Sequence, residues 1–209
     1  LRESPHADDT LVIFTSDHGE QCGAHRLHQK GVLYEESIHV PFIFSGRPVE
    51  PKNAVDDRLA SNALDLYATI CDYAGVEPPD DRMGKTLRPI LESQAGDFAP
   101  HDYLAAEEHL QHLEKTIGVR NCHIRSIRTQ EWKYIAYSFG PRREQLFHIR
   151  QDPGEVVNLA HVNRYRPVLQ QHRDLLRRWC RQTQDGFGGG HYARPDVPFM
   201  VPGDGYDEA

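Results

Sequence analysis

The run "TLVIFTS", residues 10–16, constrains the fold more than any other stretch of the chain. Its β-branched and aromatic residues follow the turn-forming "HADD" and give way to the polar "DHGEQCGAHRLHQKG", so it reads as a short, fully buried strand. Strands of that kind suit the middle of a parallel sheet flanked by helices. "VLYEESI" then predicts a helical turn and "VPFIFSG" a second apolar strand. Residues 62–74 place Leu66, Ile70 and Tyr73 at helical spacing before Gly75, a normal helix terminator. Strand and helix in alternation predict an α/β domain.

The pattern changes after about residue 96. "DYLAAEEH", "HIRSIRTQ", "WKYIAYS" and "EQLFHI" mostly alternate in polarity between turns, which predicts an antiparallel sheet with one face open to water. "RYRPVLQQHRDLLRRWCRQTQ" carries Val168, Leu169, Leu175, Leu176 and Trp179 on one stripe, the mark of a packed amphipathic helix. Three segments are therefore expected: 1–96 in the α/β domain, 97–184 as an antiparallel subdomain with a long helix, and a Gly/Pro-rich tail over 185–209, extended or partly disordered.

With 209 residues the chain is long enough to bury a substantial core. Its net charge of -7, from 31 acids and 24 bases interspersed along the chain, argues against a nucleic-acid partner. No apolar run approaches the ~20 residues of a membrane span. The four cysteines (Cys22, Cys71, Cys122, Cys180) show neither paired zinc spacing nor a dense disulfide framework, and do not set the redox compartment.

Chemistry concentrates where the first strand ends. Asp17 and His18 are adjacent, so only a strand end that turns, as Gly19 allows, brings both to one ion. A carboxylate and a neutral imidazole supply part of a shell for Ca²⁺, Mg²⁺, Mn²⁺ or Zn²⁺, and the other ligands must come from elsewhere. The competing reading is that Asp17 caps a turn and His18 makes a hydrogen bond. Lys30 is far enough along for the loop to double back over the strand end, where its ammonium would hold an oxyanion as a point charge. His25 and His28 are candidate proton donors, although surface histidines are commonplace and His28 reads as one.

These residues carry a family resemblance. "DDTLVIFTSDHGEQCGAHRLHQKGVLYEESIHVPFIFSG" resembles the metal-binding strand and loop of the sulfatase family, in the alkaline-phosphatase-like superfamily. "ASNALDLYATICDYAGVEPP" and "MGKTLRPIL" are similar to the segments that follow, and "IRSIRTQEWKYIAYSFGPRREQLFHIRQDPGEVVNLA" to the C-terminal hairpins and their Asp-Pro-x-Glu-x-x-Asn-Leu-Ala turn. The resemblance runs from residue 9 to about 160. It implies an alkaline-phosphatase-like sandwich, of which this chain holds part, with a mostly parallel sheet flanked by helices, a small C-terminal antiparallel sheet and a packed helix.

By the same resemblance, Asp17 and His18 complete a divalent-metal site, usually calcium, with Mn²⁺ or Mg²⁺ as other candidates. Lys30 would contact sulfate oxygens, and His25 matches a loop histidine. The nucleophile of these enzymes is formylglycine, made from Cys or Ser in a Cys/Ser-x-Pro-Ser-Arg motif that is absent here. "CGAHR" lacks its Pro and Ser and lies after the metal strand, so Cys22 reads as a loop cysteine. The expected function is sulfate-ester hydrolysis on a sulfated small molecule or glycan, completed by an N-terminal part that brings the formylglycine. Members of the family are commonly periplasmic, extracellular or lysosomal.

Two alternatives stand beside it. A phosphonate or phosphate ester hydrolase of the same superfamily would use the same metal and lysine, and a catalytically inactive binding or assembly module would need no nucleophile. Such a module would be soluble and monodisperse on its own, whereas a fragment of a larger enzyme would tend to associate, its exposed sheet covered by a second copy. Glu35 and Glu36 read as the start of a helical turn, with orientation of Lys30 as the other reading. His39 reads as a packing or hydrogen-bonded histidine. Glu107, His109, His112, Arg120 and His123 lie where sulfatases differ in substrate contacts, although a solvated face accounts for them too.

Overall fold

The computed structural model describes residues 1, 3–46, 48–50, 52–78, 83–93, 101–111, 121–138 and 143–189. Arg120, His112, the expected boundary near 96 and the tail from residue 190 lie outside them. The chain forms two compact units. One comprises Leu1–Gly19 with His39–Asp102, and the other Glu20–Ile38 with Tyr103–Ala209.

In the first unit, strand β1 (Leu11–Thr15) pairs antiparallel with β2 (Phe42–Gly46), Phe14 opposite Ile43. The expectation of a fully buried strand needs correcting. β1 and β2 are partnered only by each other among the described strands, so alternate residues face outward, and Phe14 is 61% and Ile43 54% exposed. Helix α2 (Leu64–Ala74) ends at Gly75, whose φ of 66° is the left-handed cap expected there.

The face of α2 buried within this unit is a surprise. It carries Asp65, Ala68, Thr69 and Cys71, while of the expected apolar stripe Ile70 is exposed and Leu66 and Tyr73 are half-buried. Hydrogen bonds make that polar face stable. Asp65 accepts from the backbone N–H groups of Ser61 and Lys85 and is bonded to the His101 ring, and the Thr69 hydroxyl accepts from Leu87 N–H. Asp72 on the same helix takes the guanidinium of Arg88, at the start of α3 (Arg88–Leu91).

In the second unit, β3 (Leu104–Gln111), β4 (Asn121–Arg128), β5 (Trp132–Tyr137) and β6 (Glu144–His148) form an antiparallel meander in sequence order. Helix α4 (Arg166–Thr183) covers one face, with Leu169, Leu176 and Cys180 packed on Ile127, Tyr134, Ala136 and Leu146. Phe187, just past the helix, is fully buried in the same cluster. The other face was expected to meet water. Instead Leu33 packs there against Cys122, Ile124, Ile135, Phe147 and Ile149, joined by Tyr34 and Ile38. The sheet is covered on both sides because residues from the early loop return to it. That loop includes helical turn α1 (Glu35–Ile38), so residues 20–38 group with this sheet and not with the strand that precedes them.

Several of the charged groups in this core are paired. Glu144 accepts from Arg173 at 2.6 and 2.8 Å and from the Tyr134 hydroxyl at 2.7 Å. On β4, His123 stacks on its cross-strand partner His109, with ring centroids 3.9 Å apart, while Arg125 alongside pairs with Asp185 and Glu107. Burial, helped by His109 and Arg125, lowers the His123 pKa to about 4. Burial likewise lowers that of His172, whose ring meets Val168 O and the Thr129 hydroxyl.

Two tests follow from this core. Leu176→Ala should cost about 2–5 kcal/mol in chemical denaturation, the range for emptying a closed aliphatic site. Acid should also weaken the fold. The unfolded histidines take up protons near pH 6.5 while folded His123 resists until about 4, so its contribution is complete above 6.5 and is lost as pH falls between those values. The stability difference between the wild type and His123→Asn should therefore shift against the wild type on going from pH 7.5 to 5, by at most about 1.4 kcal/mol per pH unit. A constant difference would show that His123 titrates normally.

Candidate functional site

The candidate residues fall in two places, Asp17 and His18 in the first unit and His25 and Lys30 in the second. At the end of β1 the chain turns through Ser16. The Ser16 hydroxyl donates to His18 O at 2.8 Å and lies 3.3 Å from Asp17 Oδ1, which also accepts from His18 N–H at 3.0 Å. Asn62, just before α2, donates its side-chain amide to Ser16 O at 2.6 Å. These bonds fix the strand end in the bent form that puts both side chains on one side.

His18 Nδ1 lies 2.7 Å from Gly19 O. A carbonyl only accepts, so in the neutral imidazole the proton sits on Nδ1 and the lone pair on Nε2. That tautomer is the one a metal ligand needs. Nε2 faces Asp17 Oδ2 at 3.5 Å. The His18 N–H bond holds the exposed Asp17 carboxyl below its usual pKa, so it stays an anion at neutral pH. Two such donors 3.5 Å apart suit neighbouring ligands on one cation, since oxygens ~2.4 Å from Ca²⁺ at a right angle lie about 3.4 Å apart. No group of three His, Cys, Asp or Glu side chains able to hold an ion occurs among the described residues. The pair therefore fits part of a metal shell, and its local bonds are those of a capped turn as well.

The loop after Glu20 is folded on itself. The Glu20 carboxylate accepts from Gln29 N–H, Gln21 N–H donates to Gln29 O, and Gly23 N–H to Leu27 O. Cys22, His25, Arg26 and Gln29 all have positive φ, between 45 and 64°, in the left-handed region that costs side-chain-bearing residues on the order of 1 kcal/mol each. Buried Gln21 ties the loop to Ser37 through a 2.7 Å hydrogen bond. At Gly31 the chain runs so close to β3 that an added Cβ would stand 2.9 Å from the Leu110 side chain, so only glycine fits beside Lys30 without a shift.

His25 is mostly buried. Its ring stacks on Tyr34 at 3.8 Å with planes 11° apart, and its Nε2 stands 3.7 Å from Glu36 Oε2. Lys30 is exposed. Cys22 is an exposed free thiol in the loop, and the other three cysteines are free and buried. His28 and His39 are exposed. Glu35 begins a helical turn, as the first reading has it, and its carboxylate meets Lys133 and Arg128, a pairing the sequence reading did not foresee. Glu107, His109 and His123 lie on the α4 side of the sheet, opposite the side that receives Leu33, as the alternation along β3 and β4 requires.

Sequence reasoning missed Asn62, which bonds Ser16 O, Tyr34, which stacks on His25, and Gln145 and Glu155, which bond Tyr34 and Glu35. "YEES" and "DPGEVVNLA" carried the signal for Tyr34 and Glu155, but nothing local says what either touches.

Comparison with known proteins identifies the framework. Residues 23–182 match the family described as N-sulphoglucosamine sulphohydrolase, C-terminal. A Δ4,5-hexuronate-2-O-sulfatase from Bacteroides thetaiotaomicron is 33% identical over 189 residues, covering 90% of this chain and 38% of the relative. The solved structure of a 2-O GAG sulfatase superposes with a TM-score of 0.81 at 31% identity, over 90% of this chain and 39% of that one. A phosphonate monoester hydrolase of Agrobacterium radiobacter gives 0.69 at 30% identity, over 84% and 36%. The chain thus spans less than two fifths of each of these proteins, and its architecture is part of the alkaline-phosphatase-like fold. The chain belongs to the sulfatase family, as its C-terminal portion.

Proposed function

We propose that this chain is the C-terminal part of a metal-dependent sulfatase that hydrolyses a sulfate ester on a sulfated glycan or small molecule. The observation that carries the reading is the strand end at Asp17 and His18, where an ionised carboxylate and an Nε2 lone pair face the same side. Its supports are the family and the name of the 2-O-sulfatase relative.

In the overall reaction one water is consumed: sulfur exchanges its bond to the ester oxygen for a bond to a new oxygen, the alcohol leaves with one of the water's protons, and sulfate is released with the other. Asp17 and His18 would hold a divalent ion, most simply calcium, which when bound supplies positive charge to the sulfate oxygens. Lys30, which is exposed, would add a second positive charge and so neutralise charge growing on the sulfuryl oxygens as the bond breaks. His25, whose ring is held by Tyr34 and whose Nε2 faces Glu36, would give or take a proton. The nucleophile, a formylglycine, belongs to an N-terminal part of the protein. The apolar outer positions Val12, Phe14 and Ile43 of the β1–β2 pair are the surface we assign to contact with that part.

The phosphonate monoester hydrolase neighbour favours one second reading, since the same cation pair would hold a phosphoryl group. In the full-length protein, Lys30→Ala should lower kcat/KM for an aryl sulfate by roughly 10²–10³, and Asp17→Asn should lower bound calcium measured by elemental analysis. A larger kcat/KM for an aryl phosphonate monoester than for the sulfate would replace the first reading with the second. Full activity of Lys30→Ala on both would remove Lys30 from the site.

A further inference from the structure

We propose that Lys133, Glu155 and Glu35 are positioning residues. They form a buried ion cluster by which the antiparallel sheet holds residues 20–38, and with them His25 and Lys30, in one conformation. This rests on the catalytic roles proposed above for His25 and Lys30.

Lys133 stands on β5 with its side chain fully buried. Its Nζ is 2.7 Å from Glu155 Oε1 and 2.9 Å from Glu35 Oε1, and Arg128 Nε approaches the same Glu35 oxygen at 3.5 Å. Two carboxylates meet two cations, so the cluster is neutral as a whole. Glu155 comes from the turn after β6, 120 residues further along, and its Oε2 accepts the backbone N–H of Glu35 at 2.6 Å. One carboxylate therefore grips both the lysine and the first residue of α1.

The neighbouring residues are gripped as well. Leu33 is buried in the sheet's apolar cluster. The Tyr34 hydroxyl accepts from Gln145 Nε2 at 2.9 Å, and Gln145 accepts from the Tyr137 hydroxyl at 2.8 Å. The Tyr34 ring carries the stacked His25. Residues 33, 34 and 35 are thus held in succession by apolar contact, hydrogen bond and ion pair.

A buried ion pair adds little stability over apolar groups of the same size, but an unpaired buried charge is strongly unfavourable. The cluster consequently admits one seating of residues 33–35 and penalises every shifted one. The loop needs such a hold, because its run of left-handed residues stores strain that would relax if the far end were free.

The test uses the full-length protein with Lys133→Met, Glu155→Gln and Lys133→Arg, read by backbone hydrogen exchange and by steady-state kinetics on 4-nitrophenyl sulfate. In the first two variants the amides of Gln21, Ala24, Leu27 and Gln29 should exchange at least roughly tenfold faster while those of β4 and β5 change little. The kcat should fall roughly 10–100-fold with KM nearly unchanged, and Lys133→Arg should restore most of both. Glu155→Gln keeps the size and an acceptor for Glu35 N–H, so it carries the test if Lys133→Met does not fold. Unchanged loop exchange, or equal acceleration in loop and sheet, would overturn the proposal by reducing the cluster to general stabilisation. If the wild type does not hydrolyse sulfate esters, the function proposed above fails while the exchange measurement still decides this one.

Discussion

An ammonium group out of reach of water must be matched, and Lys133 in the middle of β5 imposes that condition on the whole second unit. Its partners come from two distant segments, Glu35 from the early loop and Glu155 from the turn after β6. Once those carboxylates are in place, that side of the sheet is covered by Leu33, Tyr34 and Ile38, which arrive with Glu35. Burial draws the Glu155 pKa upward and Lys133 opposes it, so each charge is the condition for the other. The opposite face follows the same logic with Glu144 and Arg173, where a second buried pair fastens α4 to β6.

Much of this frame is legible in the sequence. The stripe through Leu169 and Leu176, the glycine stop after Ala74 and the alternation along β3 to β6 each follow from one local period, and each matches the structure. What periodicity misses is who covers a face. The alternating strands suggested a wet side, yet the covering residues sit about a hundred positions earlier, and no local pattern points to them. β1 shows the opposite error, since an apolar run reports what a strand is built to bury and not how many neighbours it pairs with. On α2 the inward face is polar because Asp65 and Thr69 satisfy backbone groups of residues 85 and 87, a partnership that spacing cannot reveal.

The site divides in the same way. Residue types at 17, 18, 25 and 30 were visible as candidates, because acid, imidazole and ammonium announce their chemistry. Their tuning was not. The tautomer of His18 depends on one carbonyl, and the bend that carries Asp17 depends on the amide of Asn62, 46 residues away. His25 owes its ring plane to Tyr34, and Tyr34 owes its place to Gln145 on β6.

The turn "DPGEVVNLA" is built almost wholly from bonds to backbone. Asp152 accepts from the N–H groups of Val156 and Val157, and the Asn158 side chain accepts from Leu146 and Ala160 and donates to Glu144 O. With Glu155 pointing inward, every polar side chain in it serves the frame. None of these bonds involves Asp17 or Lys30, so the turn would serve the β6 edge and the Glu35 seat whether or not the proposed reaction is kept. The turn is therefore a mark of the frame and not of the proposed chemistry.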